Sequence, residues 1–293
     1  MKIIAFSKDR AAQLDLLIRS LQTNWPLFNL EDLQIIYTYS NADFAAGYKK
    51  LQDSFLDKTP LIACCDWYDQ KDFHSDLLLH TIFGDGRHLG FLTDDCLFYR
   101  YCEIPPSYIE TLLDDQENLC FSFRLGAENN RIQNYVTGEL HHLIKYGPKS
   151  YIDGYQLIKY RWGLYPINSN PGYIGSIDGC IYYRQYVIST LGNTNLSCPR
   201  AIEENLANKQ DHRSNMKITK PFMIVPRYSN VVCLAINNVQ TTPVECGFQY
   251  NYEPKWLNDK YLAGQIIDLN RTIENLGEVR GCHTECKLEF CNE

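Results

Sequence analysis

The sequence predicts an α/β fold of three layers, in which helices cover both faces of a mostly parallel central sheet. Short apolar runs alternate with stretches of helical periodicity through the first half of the chain, and this alternation is typical of βαβ units. Of the 293 residues, 45% are hydrophobic and 22% are charged, so the chain can bury a core on both sides of such a sheet.

The first half divides into strands and helices in regular succession. Residues 2–6 form a predicted buried strand, and residues 11–21 form a predicted helix because their leucines recur at helical spacing. Asp9 stands just before this helix and is its predicted N-cap. The pattern continues with predicted strands at residues 33–39, 61–65 and 88–92, and with predicted helices at residues 44–51 and 72–83.

The second half is less regular and is rich in Tyr, Asn and Gly, a composition that favours loops shaping a binding surface. Because no long linker interrupts the chain, we expect one compact unit with two lobes, residues 1–125 and residues 126–293. Near the end, apolar residues alternate with polar ones from Cys282 to Phe290. This period of two predicts a terminal strand that buries one face.

The net charge and the absence of targeting signals exclude several classes of function and location. The formal net charge is −7, with no long block of like charges, which excludes broad nucleic-acid binding as the main activity. The twelve cysteines follow no repeated spacing and are expected to be reduced and mostly buried. The apolar run at the start is too short for a signal peptide, and no run approaches the ~20 residues that span a bilayer. We expect a cytoplasmic protein without a transmembrane segment, which leaves peripheral membrane association open.

An acidic pair follows the predicted strand at residues 88–92. Asp94 and Asp95 come after Thr93, and the chain returns at once to apolar residues, so both carboxylates are expected at the carboxyl edge of the sheet. Ligands bind at this edge in open α/β sheets. Adjacent carboxylates repel one another unless a cation compensates, which favours a hard divalent metal bridging to a phosphate. A solvated turn explains the same residues.

The first strand leads into a second polar turn, Ser7-Lys8-Asp9-Arg10. Backbone N–H groups and side chains at such a βα turn can hold a nucleotide at the start of the helix. The turn contains no glycine, which argues against a classical dinucleotide site or a P-loop. Helix capping with solvated basic side chains is the alternative.

Together, the Ser-Lys-Asp-Arg turn before a leucine-rich helix and the later sequence Phe-Leu-Thr-Asp-Asp-Cys-Leu-Phe (residues 91–98) resemble the GT-A fold glycosyltransferases that use nucleotide sugars. The resemblance covers roughly the first 125 residues. It implies a GT-A-like α/β/α sandwich in which the acidic motif binds Mn²⁺ or Mg²⁺ against the donor diphosphate. Thr93 stands where the family usually has its first Asp, so Asp95 is the expected direct ligand, and Asp94 is expected on the metal or the ribose.

The resemblance also implies roles for the two lobes. Residues 1–125 would bind a nucleoside diphosphate sugar, with UDP and GDP both open, and residues 126–293 would form an irregular lobe for a glycan or glycoconjugate acceptor. The residues expected to hold the nucleotide are Ser7, Asp9, Arg10, Tyr39, Ser40 and Asp94, with Arg124 bracing a phosphate. For Arg124, which lies in a predicted strand at residues 121–126, a structural ion pair is the alternative.

Three later residues fit the same interpretation. Asp178 lies in a glycine-flanked turn, and Glu203, followed by Glu204, lies at the start of a helix that opens with Pro199. Asp178 and Glu203, or Glu204 in place of Glu203, are the candidates for the base that takes the proton from the acceptor hydroxyl. An ordinary turn and acids suited to the helix dipole explain these two residues equally. His283 is the candidate for a further metal ligand from the C-terminal part, with a structural histidine as the alternative.

The function that the resemblance implies is that of a metal-dependent, inverting hexosyltransferase of polysaccharide biosynthesis. A sugar-phosphate nucleotidyltransferase shares this layout, although such enzymes usually carry a glycine-rich loop after the first strand. A carbohydrate-binding protein without catalytic activity is the third possibility, because Thr93 departs from the usual acidic motif.

Overall fold

The computed structural model describes residues 1–58, 66–82, 86–127, 131–133, 140–142, 149–152, 154–166, 169–191, 194, 196–208, 219–237, 249–279 and 281–293. The predicted strand at residues 61–65 lies outside these ranges. Within them, no helix is both long enough and apolar enough to cross a membrane.

A sheet of nine strands forms the centre of the molecule. Its strands are β1 (Lys2–Lys8), β2 (Leu33–Thr38), β3 (Asp66–Asp69), β4 (His88–Thr93), β6 (Asn118–Ser122), β9 (Lys149–Ile152), β10 (Leu157–Arg161), β11 (Cys180–Tyr183) and β12 (Phe222–Pro226). Their spatial order is β3-β2-β1-β4-β11-β6-β12-β10-β9. Seven of these nine strands run in one direction, and β10 and β11 are reversed. The predicted mostly parallel sheet is confirmed.

Smaller sheets flank the central one. Their strands are β5 (Cys96–Phe98), β7 (Arg131–Gln133), β8 (Leu140–His142), β13 (Val231–Leu234), β14 (Gln265–Ile267), β15 (His283–Thr284) and β16 (Phe290–Asn292). Strand β13 lies between β15 and β5, while β14 pairs with β16 and β7 with β8.

The described helices are α1 (Ala11–Asn24), α2 (Ala42–Lys58), α3 (Phe73–Ile82), α4 (Pro106–Asp114), α5 (Arg184–Leu191), α6 (Pro199–Asn208), α7 (Pro254–Leu262) and α8 (Leu269–Leu276). They cover both faces of the central sheet. Alternate residues of β1 enter two different cores, because successive side chains of a strand point to opposite faces. Ile3 and Ala5 pack in a core that includes α1, α2, α7 and α8. Ile4 and Phe6 pack in a second core with α3, α5 and α6. The three-layer arrangement is thus confirmed.

Two predicted strands differ from the structure. The strand predicted at residues 121–126 is β6, which begins at Asn118 and ends at Ser122, so Arg124 lies in the bend beyond it. The terminal strand predicted across residues 282–290 is two short strands, because β15 pairs with β13 whereas β16 pairs with β14 in another sheet. Cys282, Cys286 and Leu288 are buried, as the predicted alternation of apolar and polar residues requires.

Both halves of the chain contribute to the central sheet. Strands β1 to β4 and β6 come from the first 125 residues, and β9 to β12 come from the rest. The division into lobes at residue 125 stays a prediction. Of the nine described cysteines, all free thiols, seven are buried, as the sequence predicted.

Gly175 gives a test of the packing between the turn before β11 and helix α6. A Cβ atom added at Gly175 would lie 2.5 Å from the backbone oxygen of Glu203 and 2.7 Å from the backbone nitrogen of Ala207. Backbone cannot move aside cheaply, so we expect Gly175→Ala to lower the free energy of unfolding by about 1–3 kcal/mol, measured by urea denaturation. In the control Gly281→Ala, the new Cβ would meet its nearest atom at 3.6 Å, and little change is expected. Equal losses in the two variants would contradict this packing.

Candidate active site

The two polar turns noticed in the sequence meet at one edge of the sheet. Strands β1 and β4 are parallel neighbours, so their carboxyl ends lie side by side. The backbone N–H of Asp94 donates to the carbonyl of Phe6 across a distance of 3.0 Å. The turn at residues 7–10 and the acidic motif at residues 93–95 are therefore neighbours at this edge of the sheet.

Asp94 turns inward and is held entirely by protein groups. Its Oδ1 accepts a hydrogen bond from Nη1 of Arg10 at 2.9 Å, and its Oδ2 accepts from Oγ of Ser7 at 2.9 Å and from the backbone N–H of Lys8 at 3.2 Å. Burial raises the pKa of Asp94 to about 6, although Arg10 acts in the opposite direction. Both carboxylate oxygens thus bind the first turn.

The side chains of Arg10 and Ser7 also form hydrogen bonds with other protein groups. Arg10 donates from Nη2 to the carbonyl of Asn237 at 2.7 Å, and its Nη1 lies 3.7 Å from Oδ2 of Asp95. Ser7 and Tyr48 share a hydrogen bond of 2.6 Å between their hydroxyl groups. The Tyr48 hydroxyl also accepts from the backbone N–H of Arg10 at 3.2 Å. Tyr48 lies in the predicted helix at residues 44–51, but no sequence signal connects it or Asn237 to this turn.

Asp9 does not cap helix α1, which corrects the predicted N-cap. The cap position is Arg10, with no hydrogen bond from its side chain. Asp9 instead adopts a left-handed backbone conformation with φ of 57°, and its Oδ1 accepts from the backbone N–H of Ser40 at 2.7 Å. This contact ties the first βα turn to the end of β2.

Tyr39 and Ser40 lie at the surface beside this turn. Tyr39 is 38% exposed, and its hydroxyl donates to Oδ2 of Asp69 at 3.2 Å. This hydrogen bond raises the pKa of Tyr39. The two residues therefore offer an exposed ring and hydroxyl next to the buried network of Ser7, Arg10 and Asp94.

The second half of the acidic pair, Asp95, meets Asp178 at a shared hydroxyl group. Oγ1 of Thr93 lies 2.6 Å from Oδ1 of Asp95 and 3.0 Å from Oδ1 of Asp178. A hydroxyl has one hydrogen to donate, so it cannot satisfy both carboxylates at once. Two carboxylates in such proximity repel each other unless a cation or a proton lies between them.

Arg124 supports Asp178 from behind. The guanidinium is buried, and its Nη1 donates to Oδ2 of Asp178 at 3.0 Å. It therefore forms an ion pair with a site residue, the alternative that the sequence left open. His283 lies on the other side, with Nε2 3.9 Å from Oδ2 of Asp178. Loss of water around its ring and the charge of Arg124 lower the pKa of His283, which favours the neutral imidazole.

Glu203 reaches the same turn from helix α6. Its Oε1 accepts from the backbone N–H of Ile177 at 3.1 Å. Burial, followed by the negative charge of Asp178, raises the pKa of Glu203 to about 8. The neighbouring Glu204 is exposed and pairs with Arg200 on the helix surface. Of the two acids in the sequence motif, Glu203 is thus the one at the site.

Two cysteines that the sequence analysis left without a role adjoin the carboxylates. Cys96 follows Asp95 directly, and Cys233 lies opposite it on β13. Ligand atoms of Asp95, Cys96, Asp178 and Cys233 all lie within 4.8 Å of one another, an arrangement that can hold a metal ion. The carboxylates fit Mn²⁺ or Mg²⁺, which bind oxygen ligands. No local pattern could reveal this group, because its members come from three separate segments.

No protein-family model and no curated protein matches the chain. Among solved structures, it resembles residues 1–349 of S. aureus TarS in complex with UDP, at 12% identity and a TM-score of 0.38, over 77% of this chain and 57% of that chain. It resembles the bifunctional glycosyltransferase WbbM at 10% identity and a TM-score of 0.35, over 76% of this chain and 45% of that chain. A UDP-glucose pyrophosphorylase complexed with UDP-glucose is similar at 9% identity and a TM-score of 0.37, over 78% of this chain and 91% of that chain.

A bifunctional glycosyltransferase and a UDP-glucose pyrophosphorylase are thus both among the solved structures that the chain resembles. The chain spans little more than half of the TarS structure.

The buried ion pair between Arg10 and Asp94 can be tested by its effect on stability. In Arg10→Met the carboxylate of Asp94 stays buried without its cation, so we expect a loss of about 3–5 kcal/mol in the free energy of unfolding, measured in urea at neutral pH. Arg200→Met, which removes an exposed pair with Glu204, is the control and should change stability by less than about 1 kcal/mol.

The double variant Arg10→Met/Asp94→Asn should be more stable than the sum of the two single losses implies, because both charges are then removed together. Strictly additive losses would show that the two residues do not interact.

Proposed function

We propose that this chain is a glycosyltransferase that moves a sugar from a nucleoside diphosphate to a hydroxyl of a glycan or glycoconjugate. The observation that carries the proposal is the convergence of Asp95 and Asp178 on the single hydroxyl of Thr93. Two carboxylates that share one hydrogen-bond donor are suited to holding a divalent cation. They lie at the carboxyl edge of the sheet, where α/β proteins bind nucleotides.

In this proposal, Asp178 replaces Asp94 as the second carboxylate that binds the metal ion, beside Asp95. Asp94 has both oxygens engaged by the first turn, so it anchors that turn. Asp95 and Asp178 would hold Mn²⁺ or Mg²⁺, and His283 is a further ligand candidate at 3.9 Å from Asp178. A cation bound there supplies charge stabilisation to the departing nucleoside diphosphate.

The donor would lie over the first turn. Tyr39 and Ser40 are exposed beside it, and the Lys8 side chain is exposed at the end of β1, where it could pair with a phosphate. Arg10 is held by Asp94 and Asn237, so its proposed role is to offset the negative charge of the acidic turn. UDP and GDP donors are both compatible with these residues.

Glu203 is the proposed base that takes the proton from the acceptor hydroxyl. Its pKa of about 8 means that its carboxylate, once ionised, accepts a proton readily near neutral pH. The carboxylate of Asp178, the other candidate base from the sequence, accepts hydrogen bonds from Thr93 and Arg124. A base on the face opposite the leaving diphosphate would give inversion at the anomeric carbon of the transferred sugar. The proposed acceptor is a growing polysaccharide or glycoconjugate.

The metal and the donor can be tested together by thermal unfolding. A ligand that binds only the folded state raises its stability, by about 2.7 kcal/mol when present at 100 times its Kd. We expect UDP or GDP to raise the Tm of the wild type in the presence of Mn²⁺ or Mg²⁺ and not in EDTA. Asp95→Asn should melt cooperatively and lose the metal-dependent shift, whereas Asp53→Asn on helix α2 should keep it.

A nucleotide shift that is unchanged by EDTA and by Asp95→Asn would contradict the proposed metal site. A shift with nucleoside triphosphates alone would favour a nucleotidyltransferase.

The proposed base makes a prediction about pH. Because the ionised carboxylate is needed and burial raises its pKa, to about 8 without a bound cation, the rate should rise with pH and level off no higher than about 8, since a cation on Asp178 would offset part of the shift. Below that value we expect the rate to fall about tenfold per pH unit, measured as slow hydrolysis of the sugar nucleotide that shifts the Tm. Glu203→Gln should lower the plateau rate by about 100-fold or more and remove this pH dependence.

Glu204→Gln is the matched control, because it removes the adjacent and exposed acid of the same helix. A wild-type pH profile in Glu203→Gln would exclude Glu203 as the base.

A further inference from the structure

Two buried thiols lie behind the carboxylates of the proposed metal site. Cys96 on β5 and Cys233 on β13 are directly opposite each other in the antiparallel pairing. Their exposed fractions are 2% and 1%, and their sulfur atoms lie 3.9 Å apart. The mechanism proposed for sugar transfer uses neither of them.

The spacing of the two sulfur atoms fits one tetrahedral metal ion. Zinc binds each thiolate at about 2.3 Å, so two thiolates on a tetrahedral zinc ion lie about 3.8 Å apart. A disulfide would need a separation of about 2.05 Å. The observed 3.9 Å needs almost no adjustment to bind zinc, and the nearest carboxylates, Asp95 and Asp178, complete a set of four ligands within 4.8 Å.

We propose that Asp95, Cys96, Asp178 and Cys233 bind Zn²⁺ in a closed site of four ligands. The inference rests on the proposed function, because the two carboxylates are the same ones that would hold the catalytic cation. Mg²⁺ and Mn²⁺ prefer oxygen ligands and would stay on the carboxylates, whereas a thiophilic ion would also engage the thiols. The site would therefore have two modes of binding, and the kind of ion selects between them.

The surroundings suit such an ion. Thr93 donates to Asp95 at 2.6 Å and Arg124 donates to Asp178 at 3.0 Å, contacts that orient the ligands. The side chains of Asp95 and Asp178 are 25% and 14% exposed, so an ion can enter from the solvent over the carboxylates. Binding would release the two thiol protons to solvent, and Arg124 offsets part of the remaining negative charge.

The closed mode has a functional consequence. Four protein ligands fill a tetrahedral zinc ion and leave no open position for a diphosphate. Zinc would therefore displace Mn²⁺ or Mg²⁺ and prevent metal-dependent nucleotide binding.

The proposal can be tested with the reduced, metal-stripped chain of 293 residues. We expect it to bind one Co²⁺ per chain, used as a spectroscopic substitute for zinc, with the near-ultraviolet charge-transfer band of a cobalt–thiolate bond. Zn²⁺ should displace the Co²⁺ and bleach this band. Cys96→Ser and Cys233→Ser should each weaken the band and lower zinc affinity by about 100-fold or more, since even supporting residues around metal sites contribute 10–100-fold.

Cys102→Ser is the matched control, because Cys102 is equally buried but lies outside the group of four. If the serine variants fold poorly, X-ray absorption of zinc bound to the wild type gives a second measurement. We expect two zinc–sulfur bonds of about 2.3 Å, and a zinc ion bound by oxygen and nitrogen alone would contradict the proposal.

The outcomes separate this inference from the proposed function. Cobalt binding without a thiolate band, combined with a normal metal-dependent nucleotide shift, would overturn the zinc site and leave the transferase proposal standing. A Cys96–Cys233 disulfide that persists in the presence of excess reductant would overturn the zinc site too. Loss of the nucleotide shift on adding zinc to the wild type, but not to Cys233→Ser, would support it.

Discussion

The site depends on one buried carboxylate, that of Asp94. It accepts hydrogen bonds from Ser7, the backbone of Lys8 and Arg10, and these contacts join the end of β1 to the end of β4. A buried charge is costly unless it is paired and hydrogen-bonded, so the first turn has little freedom to adopt another arrangement. The adjacent Asp95 approaches the same guanidinium at 3.7 Å and shares the hydroxyl of Thr93 with Asp178.

A second constraint comes from the far half of the chain. The turn before β11 places Asp178 beside Thr93, and close packing of Gly175 against helix α6 brings Glu203 to the same turn. The negative charge of Asp178 helps to raise the pKa of Glu203. The residues proposed to hold the cation and to take the proton are therefore coupled electrostatically as well as by packing.

Local pattern was enough to predict the βα succession, whereas the idea that the two polar turns serve one nucleotide site came from the resemblance to a family. It was not enough for Asp9, whose left-handed conformation and contact with Ser40 arise from tertiary structure. Nor could it predict the partners of Asp178, since Thr93 and Arg124 come from distant segments. Cys233 could not be predicted as a site residue either, because it is distant in the sequence from Asp95 and Asp178. The alternation over residues 282–290 indicated a buried face, but it did not show that β15 and β16 belong to two different sheets.

The position of β11 has a consequence for how the chain folds. This strand lies between β4 and β6, although it follows both in the sequence by more than fifty residues. Until it is synthesised, β4 and β6 present unpaired backbone edges in the middle of the future sheet, and such edges invite pairing with other chains. During translation the middle of the sheet is thus paired late, and β11 brings with it the turn that carries Asp178. Pairing of β11 with β4 and β6 joins two parts of the sheet and places Asp178 beside Thr93 in one step. This step depends on contacts between residues distant in the sequence, which are slow to form.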